Sequence, residues 1–239
     1  MVATRYSENL SEAGTSSTAS SREIALFASR YTSPLAVLIT VVAGCAPPRV
    51  AALPGALAPV QLLPRGTLPD GRRTIVFQWE LRDGDISARG DGVSRIASPD
   101  SVRLDFFLGG GFGSGAAVLI GDSLQVPGPG MARKLVPPRA LLWAALGRFD
   151  VPAERDTVVR VDGAVLRADI GSPVRWRATF RGDTLTRLER IDGGRLQEWV
   201  ERSTDQKVQY RNEAARRSLS LVIQRTNAVA SFDPSIWIL

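Results

Sequence analysis

The stretch TIVFQWELRDGDISARGDGVSRIASPDSVRLDFF, residues 74–107, decides how this chain folds. At its start Ile75, Phe77, Trp79 and Leu81 share one side of an extended chain, and Thr74, Gln78, Glu80 and Arg82 share the other. At its end Val102, Leu104 and Phe106, continued by Leu108, oppose Arg103 and Asp105. Successive side chains of a strand point to opposite faces, so a period of two buries one face and leaves the other in water. Asp83-Gly84 and Asp91-Gly92 between these runs read as turn pairs, and Gly90 with Gly92 as a bulge that bends a long strand.

The same grammar continues to the C-terminus. Gly121-Asp122, Asp162-Gly163, Gly182-Asp183 and Asp192-Gly193-Gly194 punctuate short runs rich in Val, Ile, Leu, Thr and aromatics. In PVRWRATFRG, Val174, Trp176, Ala178 and Phe180 oppose Arg175, Arg177 and Arg181. LTRLERI, RLQEWVER, KVQYRN and RSLSLVIQR follow less regularly. The expected fold is mainly β, an antiparallel sheet. VPPRALLWAALGRF, residues 136–149, differs: Pro137-Pro138 opens it, Gly147 lies near its end, and no β-branched residue intervenes. It predicts a helix of two to three turns, with Leu142 and Leu146 on one face and Trp143 beside them. Such a helix is too apolar for water and is expected to cover the concave side of the sheet.

Apolar residues make up 44% of the 239, enough for a real core. Histidine is absent, which removes Ser-His and Cys-His nucleophilic pairs and His-based metal sites. No nucleophile–base constellation remains elsewhere, so no enzyme, cofactor or metal is expected. The net charge of +6 lies wholly in residues 45–239, because residues 1–44 hold three arginines and three glutamates. The arginines are spread between acids and not run together, which speaks against a nucleic-acid partner.

The single cysteine ends the run LAVLITVVAGC, residues 35–45. Residues 35–43 are too short to span a bilayer. A basic flank (Arg22, Arg30), a short apolar core and small residues at its end make a secretory signal. Val42-Ala43-Gly44-Cys45 resembles the bacterial lipobox, which implies export, lipidation of Cys45, palmitate among its acyl chains, and cleavage before it. Residues 1–44 are thus expected to be a signal peptide with an extended Ser/Thr-rich N-terminus, or a leader whose start lies downstream. Prolines at 47, 48, 54, 59, 64 and 69 forbid a long helix, so residues 45–71 read as a lipidated cysteine and a semi-extended tether to the membrane.

From residue 72 to 239 the order of elements resembles the LolA/LolB-like lipoprotein carrier family. The resemblance rests on residues 74–107, on LIGDSLQVPGPG, on PPRALLWAALGRF and on the closing FDPSIW, which is similar to the family's last strand region. It implies a strongly curved antiparallel sheet, an incomplete β-barrel, with a short helical lid over an apolar cavity for acyl chains. It further implies an envelope protein that binds lipid or lipoprotein acyl chains, placed by its anchor at the periplasmic face of the outer membrane, with a role in lipoprotein localisation. Ala46 is compatible with delivery to the outer membrane. The lid residues would be Leu142, Trp143 and Leu146, the wall residues Phe77, Trp79, Leu104, Phe106 and Trp176, and the chain a monomer. The family's long opening helix has no counterpart, since prolines occupy that region. Phe112, in GGGFGS, is a candidate membrane-touching tip.

Blander readings compete. Trp79, Trp143 and Trp176 fit a filled core as well as a cavity wall. A filled core would make the protein a non-catalytic envelope scaffold that binds protein or anionic polymer through its arginine-bearing face. The loose GxGxxA match at residues 111–116 precedes a strand and not a helix, Arg89-Gly90-Asp91 is a chance tripeptide, and Asp83 with Asp85 marks a turn and not a calcium loop.

Overall fold

The computed structural model describes residues 47–110, 113–128, 130–204 and 206–239. Residues 1–46, and with them the expected leader and Cys45, and Phe112 lie outside the described residues. A first meander comprises β2 (Arg72–Asp83), β3 (Ile86–Ala97), β4 (Ser101–Leu108), β5 (Ser114–Ile120) and β6 (Ser123–Gln125). Two short helices follow, α1 (Gly130–Leu135) and α2 (Arg139–Ala145). A second meander contains β7 (Val158–Asp162), β8 (Val165–Ile170), β9 (Trp176–Arg181), β10 (Thr184–Asp192), β11 (Arg195–Arg202), β12 (Lys207–Asn212) and β13 (Arg217–Val229). The last strand, β13, pairs with β2 and fuses the meanders, while the early strand β1 (Ala56–Ala58) lies beside β7. Among the described residues this makes one open antiparallel sheet of thirteen strands, edged by β1 and β6.

The alternation expected from the sequence sets which face is buried. Phe77, Trp79, Leu81, Val102, Leu104, Phe106, Ala178 and Phe180 are all under 7% exposed. The turn pairs at 83–84, 121–122, 162–163, 182–183 and 192–194 join successive strands. Asp91-Gly92 does not turn, and no bulge forms there. β3 runs through it in unbroken register with β2, Phe77 opposite Gly92 and Trp79 opposite Gly90. The glycines instead make room. A Cβ at Gly92 would sit 2.3 Å from the Phe77 ring, and one at Gly90 2.9 Å from the Trp79 indole and closer still to the Phe107 carbonyl. The two rings lie across β3 and meet Phe106 edge-on, with centroids 5.9 and 6.2 Å away. Aromatic rings laid over strand glycines replace the missing side-chain packing and let the sheet curl. The register shifts that do occur lie in β10 and in β13.

The helices bridge the concave side. Helix α2 starts after Pro138 and ends in a Schellman cap: Gly147, at φ +93°, donates to Ala144 and Arg148 donates to Trp143. It is shorter than the span 136–149 because the residues around it are spent on its caps. Its body packs on β10 and β11, while the Trp143 indole donates to Gly121 O in the β5–β6 turn at 3.3 Å. Helix α1 was not legible in the sequence. It packs on β5, where Ala132 stands against Gly115, and Lys134 pairs with Asp83 at 2.5 Å. One apolar cluster runs from β2 through both helices to β13. The C-terminal FDPSIW forms a 3₁₀ turn (Pro234–Trp237) capped by Asp233, not a strand, and Arg103 holds its Ile236 carbonyl at 2.7 Å.

Residues 47–71 are extended and helix-poor, as the prolines require, but they are docked and do not reach away as a tether. Arg49 bridges Arg195, Leu196 N–H donates to Pro48 O at 2.9 Å, Arg177 holds Ala51 O at 2.8 Å, and Leu53 and Leu68 are buried. Backbone groups that a solvated linker would leave to water are satisfied by the sheet.

Gly90→Ala should destabilise the fold more than Gly92→Ala, because the first meets a backbone carbonyl and the second a ring that can turn. Urea unfolding should show Gly92→Ala costing about 1–3 kcal/mol, partly recovered by Phe77→Leu. Equal and small losses at both sites would contradict this reading of β3.

Candidate functional site

The curled sheet is not filled. A cavity of about 650 Å³ opens at the end where β9 turns into β10, β11 into β12, and β13 runs against β2. Phe77, Leu104 and Phe106 form one wall, Leu219, Leu221 and Ile223 of β13 another, and Leu142, Ala145 and Leu146 of α2 the cover. Leu135, Pro137, Val208 and Tyr210 lie among its remaining lining groups, and the docked segment at Gly66, Thr67 and Pro69 borders it. Ligand pockets of roughly 300–1,000 Å³ with apolar linings are the usual size for small ligands.

Of the eight residues singled out in the sequence, Phe77, Leu104, Phe106, Leu142 and Leu146 line this space together. The three tryptophans do not. Trp79 stands behind Phe106 and donates its indole N–H to Asp91 O at 2.9 Å. Trp143 is wholly buried on the far side of α2, under the Arg148 guanidinium 4.5 Å from its ring. Trp176 is half-buried against the core. The strand parity of Trp79 and Trp176 is inward, but parity does not tell a cavity wall from the packing behind it, and Trp143 sits on the helix face turned from the cavity. The β13 wall was missed, although RSLSLVIQR places Leu219, Leu221 and Ile223 at a period of two.

Polar groups divide between the faces. Outward arginines meet carboxylates on the same or neighbouring strands: Arg103 with Asp105 at 2.9 Å, Arg177 with Asp169 at 2.7 Å, Arg187 with Glu189 at 2.7 Å and Arg211 with Glu213 at 3.0 Å. Inward, Glu198 is buried, and it accepts from Tyr210 Oη at 3.0 Å, Asn212 Nδ2 at 2.5 Å and Arg190 Nε at 2.8 Å. Burial first, and the Glu198 carboxylate second, hold the Tyr210 phenol above its ordinary value of 10. Asp83 is held below its ordinary value of 3.8, chiefly by Lys134, with Arg217 adding to it. Ser94 Oγ lines the cavity, buried and without a hydrogen-bond partner. Arg73 and Arg202 stand in the cavity lining. Among the described residues no group of three or more acidic or thiol ligands could hold a metal ion.

No family model matches this sequence, and no curated protein matches it. Solved structures do. The chain is similar to a LolA superfamily protein from Nitrosomonas europaea. Identity is 10%, the TM-score 0.45, and the match covers 75% of this chain and 96% of that one. A domain assigned to outer membrane lipoprotein sorting from Vibrio parahaemolyticus matches at 9% identity and TM-score 0.40, covering 70% and 89%. A DUF1329 family protein from Desulfovibrio piger matches at 10% and 0.38, covering 70% and 90%.

The neutral Tyr210 contributes stability that is whole below about pH 10 and is lost as pH rises above it, since the unfolded phenol ionises first. The fall in urea midpoint between about pH 9 and 11 should be shallower in Tyr210→Phe than in the parent. Parallel pH profiles would show that the hydroxyl is not held in its neutral form.

Proposed function

We propose that this protein is a membrane-anchored envelope lipoprotein that holds the acyl chain of a lipid or lipoprotein in its cavity. The observation that carries the reading is the unfilled apolar space of about 650 Å³ beneath α2. Work by such a protein is physical and not chemical. About twelve methylenes leaving water contribute roughly 10 kcal/mol gross, and transfer then depends on whether this cavity or the next site holds the chain better. Phe77, Leu104, Phe106, Leu142 and Leu146 touch the chain. Trp79 and Trp143 fix the wall and the cover from behind, and Trp176 packs beside them. Because Trp143 is clamped at both ends of α2's far side, entry runs through the open end near Ile223 and Thr226 and not by lifting the whole helix.

The anchor is Cys45, lipidated after export, and the protein works as a monomer at the periplasmic face of the outer membrane, in lipoprotein localisation. Docking begins at Pro47, whose carbonyl accepts from Arg195 at 3.0 Å. An anchor two residues earlier therefore holds the body close to the bilayer. The competing scaffold reading would use exposed arginines outside the ion pairs, such as Arg89, Arg181 and Arg225, but it leaves the apolar cavity without a role.

Ser94→Leu fills the cavity and removes an unsatisfied hydroxyl. It should weaken binding of a fluorescent acyl probe by about tenfold or more while leaving the urea midpoint equal or higher. Undiminished probe binding would place the probe elsewhere. Replacement of Cys45 by Ala should abolish both incorporation of labelled palmitate and membrane retention. Label retained in that variant would remove the anchor from Cys45.

A further inference from the structure

Two half-buried guanidinium groups share the cavity with no carboxylate of a described residue in ion-pair reach. Arg73 opens β2 and Arg202 closes β11, and both are half-buried in the cavity lining. Arg73 donates to Pro69 O at 3.2 Å. The Arg202 guanidinium makes no hydrogen bond to any described residue, and its buried Nε is left without a partner. Asp183 lines the same space, exposed to solvent, and lies beyond the 4.0 Å ion-pair distance from both arginines. Among the other half-buried strand arginines, Arg177 and Arg217 stand within ion-pair distance of Asp169 and Asp83, while Arg160 and Arg195 donate to the Gly55 and Pro47 carbonyls.

This arrangement is costly when empty. An arginine does not shed its charge at neutral pH. Burial, and then the Arg73 charge, hold the Arg202 guanidinium below its ordinary value; burial does the same to Arg73. A planar guanidinium is suited to paired hydrogen bonds with a carboxylate or a phosphate, and such charge-assisted bonds strengthen where water is scarce. Arg202 also stands against the covering helix, since a Cβ on Gly147 would lie 2.3 Å from its Nη1. Arg202 thus lies between the cavity and the C-terminal cap of α2.

Building on the acyl-chain reading above, we propose that the cavity selects acyl amphiphiles with an anionic head, a carboxylate or a phosphate, whose oxygens pair with Arg73 and Arg202 while the chain lies against Phe77, Leu104 and Phe106. Arg65, exposed in the same lining, adds a third positive charge. Neutral amphiphiles of equal chain length leave the two arginines unpaired and bind more weakly.

The test uses the full chain carrying Cys45→Ser, so that no acyl group is attached to it. Affinities are measured by calorimetry for hexadecanoate, for 1-palmitoyl-lysophosphatidylglycerol and for neutral 1-hexadecanoylglycerol. At least one anionic probe should bind about tenfold or more tighter than the neutral one. Preference for the carboxylate alone points to free fatty acid as the source, and preference for the phosphodiester to phospholipid. Arg73→Gln and Arg202→Gln should each lower the anionic affinity towards the neutral value and leave neutral binding unchanged, which also reports that the fold is intact. Equal affinities for all three probes, or a preference that survives in the double variant, would overturn the head-group proposal while leaving the acyl cavity standing. Failure of every probe to bind would overturn both.

Discussion

Strand β13 pairs with β2 from Arg217 opposite Asp83 to Val229 opposite Arg72, and this ladder joins two meanders that are otherwise remote stretches of chain. Its partners are more than 130 residues apart, so its closing entropy is large and is repaid only by what it lets the rest of the chain bury. It lets β2 offer Phe77 and β13 offer Leu219, Leu221 and Ile223 to one interior. It also sets Asp83 within reach of both Arg217, 3.2 Å away, and Lys134 of α1. One of its ends is therefore the hook that positions the first helix. The register shift between Ile223 and Arg225 falls where β13 leaves the cavity, and bulges add twist at such rims.

A sheet that curls this far encloses more space than its own side chains occupy. The two helices supply part of the filling, and neither is long: α1 has 6 residues and α2 has 7. Helices of this length do not persist alone and depend on tertiary packing, here the buried Leu141, Leu142 and Trp143 and the cap at Gly147. What remains uncovered is the open end, and its polar features have no internal explanation. Ser94 Oγ and Arg202 Nε are buried without partners, where native interiors leave few such atoms. Arg167 Nη1 and Arg217 Nε are also buried without a hydrogen bond, but each has a carboxylate within 4.0 Å, whereas Arg202 Nε has none among the described residues, and both Ser94 and Arg202 line the cavity. On the outer surface several arginines instead meet carboxylates on the same or adjacent strands, as Arg103 meets Asp105 and Arg177 meets Asp169.

Much of this was legible in the sequence because strand parity is a strict physical rule. The inward set from Phe77 to Phe106 and the helix around Leu142 followed from periods of two and of three to four. Parity gave no depth, however. Trp79 and Phe106 both point inward, and only Phe106 meets open space. Asp91-Gly92 looked like a turn because Asp-Gly pairs usually are; here the residues opposite, Phe77 and Trp79, need the glycines as seats for their rings. Residues 47–71 looked free because proline bars regular structure, but proline does not bar docking along a sheet. Arg202 was unremarkable in RLQEWVER until the fold placed it two residues beyond Val200 on the inner face, with no acid beside it.

The central claim is that the space beneath α2 is a seat for an acyl chain. Crystals of the protein grown with 16-bromohexadecanoate test it most directly, through the anomalous signal of the bromine. An acyl chain seated there would give a peak inside the cavity, next to Leu104, Phe106 and Leu135, with the carboxylate at the mouth by Arg202. Bromine bound only on the outer surface, or a cavity closed by its own side chains, would contradict it.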